Sequence, residues 1–411
     1  NSLKHPDEAK LLRRIYGSGF FLIGVYVSPE QRKTNLIGRG DMSPSEAESL
    51  IQRDEAEGMK DGQRTRDTFH LSDFFVHADA EAITRKSLER IFDVVFANPY
   101  RTPLFDEYAM FMAFAAATRS ADLSRQIGAV IARDNEVLAT GVNECPCAGG
   151  GTYWPAINAA GDVEDMSNGR DYTRGYDSND AEKAEIIQRT IEIARKEWAD
   201  CDRRDAFPEE SVVRTMLGKS PIDDITEYGR VVHAEMNALL TCARNSISCK
   251  GATIYTTTFH CHNCAKHIIA AGINRVVYIE PYPKSKAMKF HDDSAFIGFR
   301  NSCPDDVRVA FEPFVGIGPR RFFDLFSMKL GSGFPLERKD STTGKILPWE
   351  PKTGTIRLPM LPWNYLQREE FAVKMLAPHL RGDRDEQPGG ETGKSTASES
   401  ETDAGSSSEG V

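Results

Sequence analysis

Nothing in this chain of 411 residues approaches the roughly eighteen consecutive apolar side chains that a membrane-spanning helix needs, and no secretory leader is visible at its start. The eight cysteines are scattered apart from the pairs Cys145/Cys147 and Cys261/Cys264, so their spacing builds no disulfide framework. Together these absences predict a reduced, cytoplasmic setting and no membrane partner. Basic residues are in the minority: 51 Lys and Arg against 61 Asp and Glu leave a formal charge of −10 and a pI near 5.5. That balance argues against a broad basic surface for nucleic acid, while a few local Arg and Lys can still hold a small anion. The phosphate-cradling pattern G-x-x-x-x-G-K-[ST] is absent throughout, and Gly17-Ser-Gly19 lacks the lysine that would let it substitute. The first residue is Asn1, inside an amphipathic helix-like run, so a preceding N-terminal segment is expected.

What is present suffices for sizeable cores. Apolar residues make up 40% of the chain, with four Trp and 22 Phe, and the length predicts two to three domains at roughly 150 residues each. Over residues 1–102, Leu11 to Tyr16 reads as helix, broken at Gly17-Ser-Gly19. The continuous apolar run Phe20 to Val27 then predicts a strand buried on both faces. Ser28-Pro29 ends it, and Ser43-Pro44 opens a charged helix from Ser45 to Glu57. A polar stretch carrying Arg64 and Arg66 leads to a short strand, Phe74 to His77, and a helix from Ala80 to Phe92. This order resembles the C-terminal half of a P-loop kinase-like α/β domain. The resemblance implies a partial domain without its Walker segment, in which Arg64 and Arg66 face the phosphates of a regulatory nucleotide. Solvated loop charges are the other reading of the same two residues.

A second domain is expected over 103–326. Leu104 to Ser120 is apolar nearly all round and predicts a buried helix. Ile127 to Ala132 and Val137 to Gly141 are strands joined at Asp134-Asn135, a good hairpin turn. After a long insertion at about 144–230, helix and strand alternate. Val231 to Arg244 and Cys264 to Ala271 read as helices, and Ala252 to Thr257 and Arg275 to Glu280 as strands. The insertion is too long for a plain loop and carries a charged helix from about Asp180 to Ala199; a flap over the site and an oligomer contact are its two readings. Residues 327–380 predict an extended arm, of which 331–365 have little periodicity. From 381 on, Asp, Glu, Gly and Ser dominate without an aromatic residue, predicting a disordered tail.

Chemistry concentrates in two short stretches. His233-Ala-Glu235 opens one predicted helix and Cys261-His-Asn-Cys264 opens another. A catalytic zinc takes three protein ligands and keeps a fourth position for water, and a carboxylate close by without ligating the metal can move protons. A C-x-x-C at a helix start puts both sulfurs on one side, where thiol pKa values are lowered. His233, Cys261 and Cys264 are therefore the candidate Zn2+ ligands, with Glu235 the candidate proton carrier. His262 and His267 lie near enough to compete as ligands, with His262 expected to point away and His267 to pack or face solvent. Cys145 and Cys147 are read as two ordinary thiols or as a second zinc site.

These motifs, with Arg125-Gln-Ile-Gly-Ala-Val-Ile and Gly141-Val-Asn143, resemble the cytidine/deoxycytidylate deaminase superfamily over residues 104–312. Phe311-Glu-Pro-Phe-Val-Gly-Ile-Gly-Pro-Arg-Arg-Phe-Phe-Asp-Leu-Phe extends the likeness, and most of the chain is similar to the bacterial anti-phage deoxycytidine nucleotide deaminases. The resemblance implies a three-layer α/β/α deaminase domain behind the kinase-like one. It implies hydrolytic deamination of dCTP and dCMP, with a zinc-activated hydroxide adding at C4 and Glu235 moving the protons. It further implies a homo-oligomer and control by a regulatory nucleotide, an RNA or a phage-derived signal. Asn143 matches the family position that contacts the sugar. Arg125 is a candidate for phosphate, or pairs with an acid such as Asp122; Tyr153 and Trp154 stack on a base, or anchor the core. One departure stands out: His260 occupies the place where the superfamily usually has Pro. A second reading is a nucleic-acid editing deaminase, which the acidic balance opposes. A third is a nucleotide-sensing module with an inert zinc site, which Glu235 opposes.

Overall fold

The computed structural model describes residues 2–40, 42–55, 64–200, 206–225, 227–282, 285–358 and 362–381. Residues 1–360 form one compact unit and residues 361–411 a second. In chain order the first unit contains α1 (Pro6–Tyr16), β1 (Ile23–Tyr26), α2 (Pro29–Gly40), α3 (Pro44–Glu55), β2 (Phe74–His77) and α4 (Glu81–Val95). Next come α5 (Phe105–Ala117), β3 (Gly128–Arg133), β4 (Glu136–Val142), α6 (Ser178–Asp200), α7 (Glu210–Gly218) and α8 (Ala234–Arg244). It closes with β5 (Thr253–Thr258), α9 (His262–Ala270), β6 (Arg275–Glu280), β7 (Ala295–Ile297), β8 (Val309–Pro313) and β9 (Gly316–Ile317).

A six-stranded sheet in the order β4-β3-β5-β6-β8-β7 is the frame of the molecule. Its first three strands run antiparallel to one another, and β5, β6, β8 and β7 are parallel neighbours. The β3–β4 connection is the expected two-residue hairpin, with Asp134 and Asn135 both at positive φ, 53° and 61°. Alternation along β3 sends Ala129 and Ile131 into a core with Ala234 and Ala238 of α8 and Ala265 and Ile268 of α9. Val130 and Ala132 point the other way, against Ala109, Met110 and Ala113 of α5. The sheet is thus sandwiched between helices, a three-layer mixed α/β arrangement.

The leading segment differs from its expectation in detail. β1 and β2 are parallel, and β9 adds antiparallel to β2, making a separate three-stranded sheet. β1 is an edge strand with an open face: Ile23 and Val25, two residues apart, are 38% and 56% exposed. An unbroken apolar run therefore does not mark a strand covered on both sides here. β2 is the buried one, with Phe74, Phe75 and Val76 inaccessible. Among the described residues, α2, α7 and the short helices Asp171–Arg174, Ala287–Phe290 and Phe322–Phe326 escaped the sequence reading, and Arg64 precedes a helical turn, Thr65–Phe69, instead of lying in a loop.

Residues 327–358 carry no helix or strand beyond an isolated bridge at Lys339 and Ile346. Arg357 N–H donates to the Val95 carbonyl at 2.7 Å, and Arg357 and Leu358 are buried. The second unit is described as one helix, α10 (Pro362–Arg381), whose first residues fall where the sequence reading saw little periodicity. The tail expected to be disordered lies outside the described residues from 382 on. No helix among the described residues is long and apolar enough to cross a membrane.

Candidate active site

Two helix starts build the site. His233 is the N-cap of α8 and Cys261 the N-cap of α9, both in extended backbone, so each side chain leaves its helix at the end where free N–H groups gather. Gly141 of β4 lets α8 approach the sheet: a Cβ there would lie 2.1 Å from the Ala234 carbonyl oxygen. Asn237 Nδ2 donates to the Val142 carbonyl at 2.9 Å and pins the same turn.

His233 Nδ1 lies 3.4 Å from the sulfurs of both Cys261 and Cys264. Ligand atoms around a tetrahedral zinc with N and S donors stand about 3.5–3.8 Å apart, so these side chains fit such an ion with small adjustment. Among the described residues they are the group of His, Cys, Asp and Glu placed to hold a metal. The Cys264 thiol and then the His233 ring hydrogen-bond to Cys261 and hold its pKa down at about 3. The hydrogen bond to Cys261 lifts His233 to about 9, while Cys264 is pushed up by Cys261 and by burial. A thiolate next to a good proton donor is a donor set ready to exchange protons for a cation.

Glu235 is buried beside this triad, its Oε2 3.6 Å from Cys264 Sγ, and burial raises its pKa. It lines a cavity of about 350 Å³ together with His233 and Cys261. Arg125 and Asn143 line that cavity too. Asn143 Oδ1 accepts from Ile127 N at 2.7 Å and its Nδ2 donates to the Arg125 carbonyl at 2.8 Å, so the amide fixes the loop that carries Arg125. The Arg125 guanidinium lies 3.5 Å from Glu280, not on the Asp122 carboxylate, which instead accepts from the backbone N–H groups of Ser124 and Arg125.

Tyr153 and Trp154 are not among the cavity's walls. Trp154 is 63% exposed with the Arg119 guanidinium 3.8 Å above its ring, and the Tyr153 carbonyl accepts from Arg119 and Arg170. Arg64 pairs with Asp67, and Arg66 lines a separate cavity of about 310 Å³ with Arg32 and Asp54. His262 lies 3.6 Å from Glu227 and His267 faces solvent, so neither joins the donor set. Cys145 is a buried thiol pushed up to about 11 by burial, and Cys147 donates to the Gly150 carbonyl.

Sequence reading missed wall residues from the insertion, Asp171, Asp177, Asn179 and Gly229, and others beyond α8, Thr258, Phe259 and Tyr282. The insertion reaches the cavity because Arg230 clamps Asp171 at 3.1 Å and Glu144 bridges to Val232.

The chain matches the cytidine and deoxycytidylate deaminase zinc-binding region over residues 104–280. It is 30% identical over 179 residues to the deoxycytidylate deaminase of Enterobacteria phage T4, covering 43% of this chain and 77% of that protein. It is 30% identical over 176 residues to the deoxycytidylate deaminase of Mycobacterium phage D29, covering 43% and 94%. Among solved structures it is similar to the dCMP deaminase of cyanophage S-TIM5 in complex with dCMP and dUMP, at 17% identity and a TM-score of 0.28, over 52% of this chain and 100% of that one.

Proposed function

This chain belongs to the cytidine and deoxycytidylate deaminase family, and we propose that it hydrolyses the C4 amino group from free deoxycytidine nucleotides, dCMP and dCTP. One observation carries the reading. His233, Cys261 and Cys264 converge as a three-donor set, and Glu235 is buried beside them on the same cavity without being needed as a donor. A purely structural zinc is closed by four ligands, whereas a catalytic one keeps a position open. His233, Cys261 and Cys264 would hold a zinc ion, which would supply a Lewis acid able to bring the pKa of water down to about 7. Glu235 takes the proton that water gives up and delivers it to N3 of the cytosine. It then carries the second proton to the amino nitrogen, which leaves as ammonia while the C4 oxygen becomes the uracil carbonyl. Water and nucleotide in, ammonia and uracil nucleotide out, the protons balance.

The cavity walls divide the rest of the work. Asn143 holds the Arg125 loop and presents an amide edge to the sugar. Arg125 exchanges Glu280 for the nucleotide phosphates, which a bidentate guanidinium binds well. The acidic chain supports a free nucleotide over a polynucleotide. Draining deoxycytidine nucleotides starves viral DNA synthesis, and defence against phage is the proposed setting; the sequence likeness to anti-phage deaminases supports it. The parallel β1–β2 pair and the cavity at Arg66 support a kinase-like leading domain that receives a regulatory nucleotide.

Zinc-loaded protein incubated with dCMP, dCTP, CTP and a single-stranded oligonucleotide tests the reading by uracil formation. Conversion of the two deoxynucleotides is expected. Conversion of the oligonucleotide alone, or of nothing, overturns it.

A further inference from the structure

His260 stands where relatives of this fold usually place a proline, and the structure gives its ring a particular setting. It is 1% exposed, stacked on Phe259 with centroids 4.9 Å apart and planes 11° from parallel, and flanked by Phe311 at 4.6 Å. Ser285 Oγ donates to its carbonyl at 2.7 Å, so the backbone is held as well as the ring. Both ring nitrogens are buried without a hydrogen-bond partner. A buried polar atom left unpaired is costly, and a leucine would fill the same aromatic slot without that cost. The imidazole also lines the catalytic cavity, and its Nδ1 lies 3.8 Å from Glu235 Oε1.

The other carboxylate oxygen, Oε2, faces the Cys264 sulfur at 3.6 Å. The two oxygens of Glu235 are thus differently placed, one toward the donor set and one toward His260. A separation of 3.8 Å is beyond hydrogen-bond range, but such contacts in a site without substrate commonly tighten when the reacting complex forms. With its ring confined by two aromatics, His260 can close that gap by a small torsion and has few other options.

We propose that His260 is a positioning residue of the deamination site: its Nδ1–H donates to Glu235 Oε1 in the substrate complex and orients the carboxylate so that Oε2 carries the proton between water and base. This rests on the deaminase reading and names a further member of its machinery.

The test uses the full zinc-loaded chain with His260→Leu, His260→Asn and Glu235→Ala, alone and with His260→Leu and Glu235→Ala combined. Zinc per chain, kcat and KM for dCMP, and Tm are measured. H260L is expected to keep its zinc and its KM within about twofold while kcat falls about 10–100-fold. H260N, whose amide N–H can occupy the place of Nδ1–H, is expected to restore kcat to within about fivefold of wild type. Measured with dCMP bound, the Tm shifts of H260L and E235A are expected to miss additivity by about 2 °C or more, as for groups in contact. Wild-type kcat in H260L, additive Tm shifts, loss of zinc from H260L, or a kcat in H260N lowered about tenfold or more each overturns the proposal. The Tm cycle needs no turnover. If the wild-type protein converts no nucleotide, the deaminase reading falls by itself, and the cycle still decides whether His260 holds Glu235.

Discussion

At Glu235 and its neighbours, two kinds of substitution should part company. Glu235→Ala removes a carboxylate that the metal does not need, so zinc content should stay near one per chain while kcat falls by about 10²–10⁴-fold or more. Cys264→Ser removes one of three donors and should lower zinc content and activity together; metal analysis beside a steady-state assay separates the two cases. Arg125→Ala should raise KM for dCMP with a smaller change in kcat, because its proposed contact is to the phosphate and not to the reacting carbon. The donor set was legible because each half of it is local: His233-Ala-Glu235 and Cys261-His-Asn-Cys264 keep their spacing wherever the chain goes. Asp171, Asp177 and Asn179 were not legible, since only the fold of the insertion carries them to the cavity. Tyr153 and Trp154 show the converse. Their type suited a base-stacking role, but Arg119 holds Trp154 at the surface and away from the cavity.

Among the elements, α8 depends on a glycine. The Cβ of an alanine at 141 would come 2.1 Å from Ala234 O and 2.5 Å from Ala238 N, so the backbone of α8 would have to retreat from β4. Gly141→Ala should cost about 1–3 kcal/mol in urea unfolding, as overpacking does. Because α8 begins at His233 and carries Glu235, zinc affinity and kcat should fall in the folded fraction too. Unchanged zinc affinity would mean that the helix start tolerates the shift. Periodicity predicted α8, α9, β5 and β6 because their apolar faces repeat cleanly against one sheet. It overread Phe20–Val27, where the run is apolar for packing at its ends while Ile23 and Val25 of β1 meet solvent. It missed α2, a polar helix with little apolar signal.

For the molecule as a whole, long-range ties among the described residues meet at a single buried acid. Asp73, at the entry to β2, is inaccessible to solvent. Its carboxylate accepts from Arg13 of α1 at 2.8 and 3.2 Å, from Leu22 N at 2.9 Å and from Arg321 Nε at 3.1 Å. Arg321 in turn donates to the Phe20 carbonyl at 2.7 Å. The start of the chain and a segment 248 residues beyond Asp73 are thereby fastened to one side chain, a pairing that no local pattern in the sequence announces. Fully paired, such a charge contributes little net stability; stripped of its partner, each arginine left behind is expensive. Asp73→Ala should therefore destabilise the protein by about 3–5 kcal/mol, seen as a lower urea midpoint. The deaminase cavity is lined by other residues, so zinc content and kcat below the transition should stay at wild-type values. A variant as stable as wild type would show that water replaces Asp73 without loss. A variant that folds normally but loses zinc would show instead that the leading segment holds the sheet edge on which the metal site is built.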